Sequence, residues 1–125
     1  RLAYYRAKQE ELAGSNTTLV LLDAGGDAFG GPLYGHPDYD LGFPSMTLSN
    51  LMPYDICTFA PHDFLCKSDS ASLLHGAESY SKRTCPLVLS NGDFNAPFEA
   101  VNDRLHRYIV KEFDNGVKIA FFGMF

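Results

Sequence analysis

The sequence lacks tryptophan, has few cysteines and contains no long apolar run. A membrane-spanning helix needs about 18 consecutive apolar residues, so this segment is not expected to contain a membrane span. Acidic residues outnumber basic residues by 15 to 10, which gives a net charge of -5. Because nucleic-acid binding depends on a basic surface, this charge argues against a nucleic-acid partner. A metal site is not excluded, since metal ligands are often acidic.

The three cysteines, Cys57, Cys66 and Cys85, do not have the CxxC spacing that is typical of a zinc knuckle. Cys66 and Cys85 could pair across a helix, and the odd count leaves at least one thiol over. Asn16 begins an Asn-Thr-Thr glycosylation sequon, a triplet that also occurs by chance. The start at Arg1 is polar and is not that of a signal peptide, so we expect either a mature chain or a piece of a longer one.

The composition is that of a globular protein, because 46% of the residues are hydrophobic and 20% are charged. A chain of 125 residues is long enough for one domain with one core. The 10 phenylalanines and 7 tyrosines are most simply explained as core packing. Periodicity predicts helices over residues 1–13, 44–52 and 68–80, and largely apolar strands over residues 18–23, 54–59 and 86–90.

The end of the chain has a different pattern, in which two strand-like segments, 107–113 and 117–122, flank Asp114-Asn115-Gly116. Asn-Gly in this position predicts a β-hairpin with positive φ at both turn residues. The apolar strand over 18–23 indicates a sheet covered on both faces. The alternation of helices and strands therefore predicts an α/β fold with a mixed, mostly parallel sheet that ends in a hairpin.

Polar residues follow each of the three predicted parallel strands, in the loops 23–31, 60–63 and 91–95. Ligands of parallel sheets bind at the carboxyl ends of the strands, so these loops form the candidate site. The first loop, DAGGDAFGG, places two carboxylates among four glycines directly after an apolar run. It is either a plain turn or a strand end where backbone and carboxylate approach a metal or a phosphate.

Four segments in this order, LLDAGGDAFGG, MTLSNLMPYDICTFAPHDF, PLVLSN and YIVKEFDNGVKIAFFG, resemble the metallophosphoesterase domain of the five-prime nucleotidase and UDP-sugar hydrolase family. The resemblance covers nearly the whole chain and implies the calcineurin-like phosphoesterase fold, a four-layer α/β/β/α sandwich. It also implies a site for two divalent metal ions, Mn, Zn, Fe or Mg, and hydrolysis of nucleotides or related phosphate esters. Members of the family commonly work outside the cytoplasm, and the sequon and paired cysteines would suit a secreted protein.

The resemblance assigns roles to single residues. Asp27 matches the carboxylate that bridges both metals, and His62 matches the histidine that faces the scissile phosphate. Asn91 loosely matches an asparagine at a strand end and is a candidate substrate-binding residue. Asp63 stands where the family has glutamate. Read without the family, Asp27 is a turn carboxylate, His62 an exposed loop histidine and Asn91 a turn former.

Two departures from the family pattern lead to two hypotheses. Pro61 stands where the family has a metal-binding asparagine, and Ala60 stands in place of the preceding glycine. The other family ligands match no residue in 1–125, so we expect a partial domain of a longer chain, with one apolar sheet face uncovered. Either the rest of the domain completes an active hydrolase, or the protein is an inactive relative that serves as a structural or interaction subunit and binds protein partners.

Overall fold

The computed structural model describes residues 2–26, 43–64 and 70–124. Asp27 and Cys66 lie outside these ranges, as does the side chain of His62. Among the described residues, no helix has the length and the apolar character needed to cross a membrane.

The described chain alternates helices with short strands, as the sequence predicts. The α-helices are α1 (Leu2–Leu12), α2 (Phe43–Asn50) and α3 (Ser70–Ser81), and two 3-10 helices span Pro61–Asp63 and Phe98–Arg104. The strands are β1 (Leu22–Asp23), β2 (Ile56–Cys57), β3 (Leu87–Val88), β4 (Leu105–His106), β5 (Ile109–Glu112) and β6 (Lys118–Phe121). The predicted strands are present but shorter, and β4 and the 3-10 helix before it had no signal in the periodicity.

Strands β1 to β4 form one parallel sheet in which spatial order follows chain order. Leu22 of β1 is in register with Ile56 of β2, and Cys57 of β2 with Leu87 of β3. Since all four strands run the same way, their carboxyl ends share one edge of the sheet. The loops after β1, β2 and β3 therefore begin at the same edge. An α/β fold with a parallel sheet and a hairpin is confirmed. The expectation of one mixed sheet is wrong for the described residues, because β5 and β6 form a separate two-stranded sheet.

The hairpin of β5 and β6 is antiparallel, with Ile109 opposite Phe121, and confirms the predicted pairing. Its turn differs from the prediction. The Gly116 N–H donates to the Phe113 carbonyl at 2.7 Å, and the Phe113 N–H donates to the Val117 carbonyl at 2.9 Å. Only Gly116 of the turn has a positive φ, +80°. The loop is thus a three-residue type I turn with a glycine bulge, and positive φ at Asn115 was a wrong expectation.

One face of the parallel sheet is covered by α3 and the second 3-10 helix. The buried side chains of this core are Cys57, Phe59, Ala77, Tyr80, Cys85, Leu87, Leu89, Phe98 and Val101. Side chains alternate between the two faces of a strand, so the buried Ile56 and Val88 face the other way.

That second face is covered in part by the segment after β6. The Ser90 N–H donates to the Gly123 carbonyl at 2.7 Å, which ties the end of β6 to the end of β3. Leu22 and Phe122 line a groove beside Ile56 and Val88 and are 51% and 65% exposed. The first strand is thus not covered on both faces at Leu22, which agrees with the expectation that residues 1–125 leave one apolar sheet face uncovered.

A disulfide joins Cys57 and Cys85, whose Cα atoms lie 6.0 Å apart across a sequence separation of 28 residues. The predicted Cys66–Cys85 bridge is wrong, because Cys85 is already bonded. The parallel register explains the pairing: the Cys57 N–H donates to the Pro86 carbonyl at 2.9 Å, which brings the preceding residue, Cys85, beside β2.

Candidate functional site

The loop after β1 begins with Asp23, whose carboxylate is buried and fixes the local backbone. Its Oδ1 accepts the Gly25 N–H at 3.0 Å, and its Oδ2 is ion-paired with Arg83. The Arg83 guanidinium also donates to the Ser49 hydroxyl. Burial lowers the pKa of Arg83 to about 10, so the side chain stays charged near neutral pH. Of the two carboxylates in DAGGDAFGG, the first is a structural group.

Gly25 lets the loop after β1 lie directly against the loop after β2. Its φ is +82°, and a Cβ at this position would lie 2.5 Å from the Ala60 nitrogen and 2.6 Å from the Phe59 carbonyl carbon. Real Cβ contacts are essentially never this short. A residue with a side chain would force the two loops apart, so this glycine serves a close backbone approach.

Asp63 joins the two loops. It is fully buried at the end of the first 3-10 helix, and one oxygen, Oδ2, accepts the Gly26 N–H at 2.8 Å and the Ala60 N–H at 2.8 Å. A carboxylate that accepts backbone N–H groups forms charge-assisted bonds, which are the strong kind. We call this arrangement of Asp63, Gly26 and Ala60 the Asp63 clamp. It fixes the backbone on both sides of the candidate site.

The two residues to which the resemblance assigns chemistry adjoin this clamp along the chain. Asp27 follows Gly26, and consecutive Cα atoms are about 3.8 Å apart. His62 precedes Asp63 within the 3-10 helix Pro61–Asp63. The backbone at Gly26 and the backbone of this helix are brought together by one carboxylate. The side chains of Asp27 and His62 lie outside the described residues.

Pro61 is the first residue of that 3-10 helix and is exposed. Proline fits there because its fixed φ suits the first turn and its missing N–H has no partner to lose. The helix closes with the Phe64 N–H donating to the Pro61 carbonyl at 3.0 Å. Proline at position 61 therefore offers no side-chain oxygen or nitrogen to a metal and is compatible with this turn.

The loop after β3 is held by two side chains from further along the chain. Arg107 binds both carboxylate oxygens of Asp93, at 2.6 and 2.7 Å, and the Gly92 carbonyl at 2.7 Å. The Asn102 amide accepts the Phe94 N–H at 2.9 Å and donates to the Phe94 carbonyl at 2.8 Å. Asn91 is exposed and lines a cavity of about 310 Å³ at this loop. All three predicted strand-end loops thus begin at the same edge of the sheet.

A cluster of aromatic rings packs together at the two ends of the loop after β2. The Phe59 ring contacts Tyr80 in a tilted arrangement and Phe94 edge-on, with ring centroids 4.7 and 4.9 Å apart, and the centroids of Phe64 and Phe94 lie 5.3 Å apart. Phe59 precedes Ala60 of the clamp and Phe64 follows Asp63. The rings therefore anchor both ends of the loop after β2 in the core.

The described side chains do not by themselves fit a two-metal site. Pro61 has no donor atom, and the Oδ2 of Asp63 already accepts two N–H groups. Among residues 2–26, 43–64 and 70–124, no group of three or more His, Cys, Asp or Glu side chains could hold a metal ion. Asp27, the metal ligand that the resemblance implies, lies outside the described residues.

The sequence predicts that the three loops begin at one edge of the sheet, and the parallel register confirms this. It does not reveal the bonds that Asp63 and Arg83 make there, since Asp63 is singled out only as the counterpart of a family glutamate and Arg83 belongs to no motif. Arg83 lies 60 residues from its partner Asp23, and no local pattern signals such a pair. The sequence feature that indicates this edge is the presence of a polar loop directly after each of three buried strands. Comparison with known proteins adds no assignment, since no family model, no curated protein and no solved structure matches this chain.

Proposed function

We propose that this chain is part of a metal-dependent phosphoester hydrolase of the five-prime nucleotidase type, acting on nucleotides or related phosphate esters. The observation that supports the proposal is the Asp63 clamp, which joins the loops after β1 and β2 at the carboxyl edge of a parallel sheet. Ligands of parallel sheets bind at this edge. Asp27 and His62, the residues that the resemblance implicates, flank the clamp along the chain.

In this proposal Asp27 is a metal ligand and His62 donates a hydrogen bond to the charge that develops on the phosphoryl group. Two divalent cations, of Mn, Zn, Fe or Mg, would activate water and stabilise that charge when bound. The remaining ligands come from the rest of the same domain. Asn91 lies at the adjoining strand end and is proposed to contact the substrate.

A specific observation favours a second candidate function. Pro61 and the buried Oδ2 of Asp63, with its two hydrogen bonds, leave the loop after β2 well formed without a side-chain donor at the family's asparagine position. A pseudoenzyme that keeps the fold as a structural or interaction subunit would have this same loop structure. The candidate edge would then contact a protein partner.

The compartment is proposed to be non-cytosolic, either secreted or otherwise outside the cytosol. The Cys57–Cys85 disulfide supports this, because such bonds persist in oxidising environments and are rare in the cytosol.

The two functions are separated by metal content and hydrolysis in the natural full-length protein, purified without chelator. A hydrolase should contain about two divalent ions per chain and release phosphate from a nucleoside monophosphate. Asp27→Asn should reduce turnover at least about 100-fold, in line with losses at charge-stabilising groups. Asp114→Asn, in the exposed hairpin turn, is the matched control and should leave turnover unchanged.

The pseudoenzyme predicts metal-free protein and no phosphate release from the unmodified chain. Equal turnover of Asp27→Asn and the unmodified chain would contradict the role given to Asp27.

A further inference from the structure

The Asn16 sequon lies in the connection that leaves α1 and leads to β1. Ser15 organises this connection, since its hydroxyl donates to the Leu12 carbonyl at 2.7 Å and accepts the Thr17 N–H at 3.2 Å. The helix therefore ends before the sequon, and residues 17–21 have no regular secondary structure. A sequon in an irregular surface connection is the arrangement that a glycan requires.

The acceptor side chain is open to solvent. Asn16, Thr17 and Thr18 are all exposed. Asn16 also lines a groove of about 300 Å³ whose far wall includes the hairpin residues Asp114 and Asn115. In the part of the chain that the structure describes, no hydrogen bond engages the Asn16 amide. The Asn16 side chain is therefore accessible from solvent.

An independent observation bears on the compartment. Cys57 and Cys85 form a disulfide although neither is exposed at the surface, so the bond belongs to the folded core. Chains that acquire such bonds fold in an oxidising compartment, typically the secretory pathway. N-linked glycans are added to exposed sequons of proteins in that pathway.

We propose that Asn16 carries an N-linked glycan. In the transfer, the side-chain nitrogen of Asn16 forms a bond to the anomeric carbon of an oligosaccharide carried on a lipid pyrophosphate. The bond from that carbon to the pyrophosphate oxygen breaks, the lipid pyrophosphate leaves, and the amide loses one proton to a base. No oxidant or reductant is consumed. No other asparagine of the sequence has serine or threonine two residues later, so the site is unique in this chain.

The topology sets where the glycan lies. Asn16 precedes the amino end of β1, whereas the candidate site follows its carboxyl end at Asp23. Asn16 therefore lies on the amino-terminal side of β1 in the chain, and the candidate site lies on its carboxyl-terminal side. The proposal holds whichever function the site has.

The test uses the full-length protein expressed in, and recovered from, the secretory pathway of a eukaryotic cell. Digestion with an amidase that removes N-linked glycans should increase gel mobility. Mass spectrometry should then find Asn16 converted to aspartate, with the new carboxylate labelled when the digestion is run in heavy-oxygen water. Thr18→Ala should leave Asn16 unmodified, so that the conversion to aspartate and its heavy-oxygen label disappear at this position. Thr17→Ala keeps the sequon and is the matched control, which should remain glycosylated.

Two results would overturn the proposal. One is disulfide-bonded protein with unmodified Asn16 and no response to the amidase. The other is a chain, isolated from its natural source, that is cytosolic and holds Cys57 and Cys85 as free thiols. Neither readout depends on turnover, so a failed hydrolase proposal would leave the result unaffected.

Discussion

The Arg83–Asp23 pair makes a quantitative prediction about the edge that carries the candidate site. Both side chains are buried, Arg83 at 2% exposure, and the pair links β1 to the segment before β3. Replacing Arg83 by Met keeps the apolar stem and removes the charge. The Asp23 carboxylate would then stay buried without its cation, while the Gly25 N–H still donates to it.

Removing one partner of a buried ion pair typically costs about 3–5 kcal/mol, because the other charge is left uncompensated. We therefore expect Arg83→Met to lower the free energy of unfolding by about 3–5 kcal/mol, and Asp23→Asn by a similar amount. In the double variant neither full charge remains buried. The decrease in its free energy of unfolding should be smaller than the sum of the two single decreases by about 1–3 kcal/mol.

Urea-induced unfolding followed by circular dichroism measures all three variants against the unmodified chain. The matched control is Lys118→Gln, which breaks an exposed pair with Glu112 whose N···O distance is 2.9 Å. Exposed pairs contribute at most about 1 kcal/mol, so this variant should unfold almost as the unmodified chain does. If the effects of Arg83→Met and Asp23→Asn on the free energy of unfolding sum to that of the double variant within about 0.5 kcal/mol, the two charges do not interact and the reasoning fails.

Two further predictions concern the covalent and steric constraints on the same sheet. Replacing Cys57 and Cys85 together by Ser should lower the free energy of unfolding by about 3–4 kcal/mol, from the loop entropy of a 28-residue separation. In a urea titration, reductant should lower the unfolding midpoint of the unmodified chain to nearly that of the variant. If the variant and the unmodified chain have the same midpoint without reductant, the prediction is refuted. Gly25→Ala should cost about 3 kcal/mol or more, since it adds a clash to the positive-φ strain. Gly116→Ala has a similar φ and open space around it, so it should cost only about 1–2 kcal/mol, and equal losses at the two sites would contradict the close approach.

Local signals predicted the parts of the fold that depend on neighbouring residues. The first helix ends near Gly14, α2 begins next to Pro44, and the Asn-Gly turn closes a hairpin. Each of these follows from the φ preferences or the missing N–H of one or two residues. The error at Asn115 has the same origin, because the dipeptide indicates a hairpin more strongly than it fixes the length of the loop.

Pairings between distant residues were not predictable in this way. The predicted helix between them made Cys66 a possible partner of Cys85, whereas the register of β2 and β3 brings Cys57 beside Cys85. The same holds for Arg83 with Asp23, and for Asp63 with Gly26, 37 residues away. Each pairing depends on which strands are neighbours, and that order is a property of the assembled sheet. The shared edge of the three loops was therefore predictable, whereas the bonds between those loops were not.

The geometry at Pro61 indicates that the stability of the loop after β2 does not depend on a metal-binding side chain at this position. The loop after β2 is held by the Asp63 clamp, by the Phe64 N–H bond to the Pro61 carbonyl and by the rings of Phe59 and Phe64. None of these bonds uses a side-chain donor at position 61. The loop should therefore form with either asparagine or proline at this position, and the proposed hydrolysis would depend on Asp27 and His62 instead. Stability variants such as Gly25→Ala test the packing of the loops at this edge, and only metal content and turnover test the proposed hydrolase function.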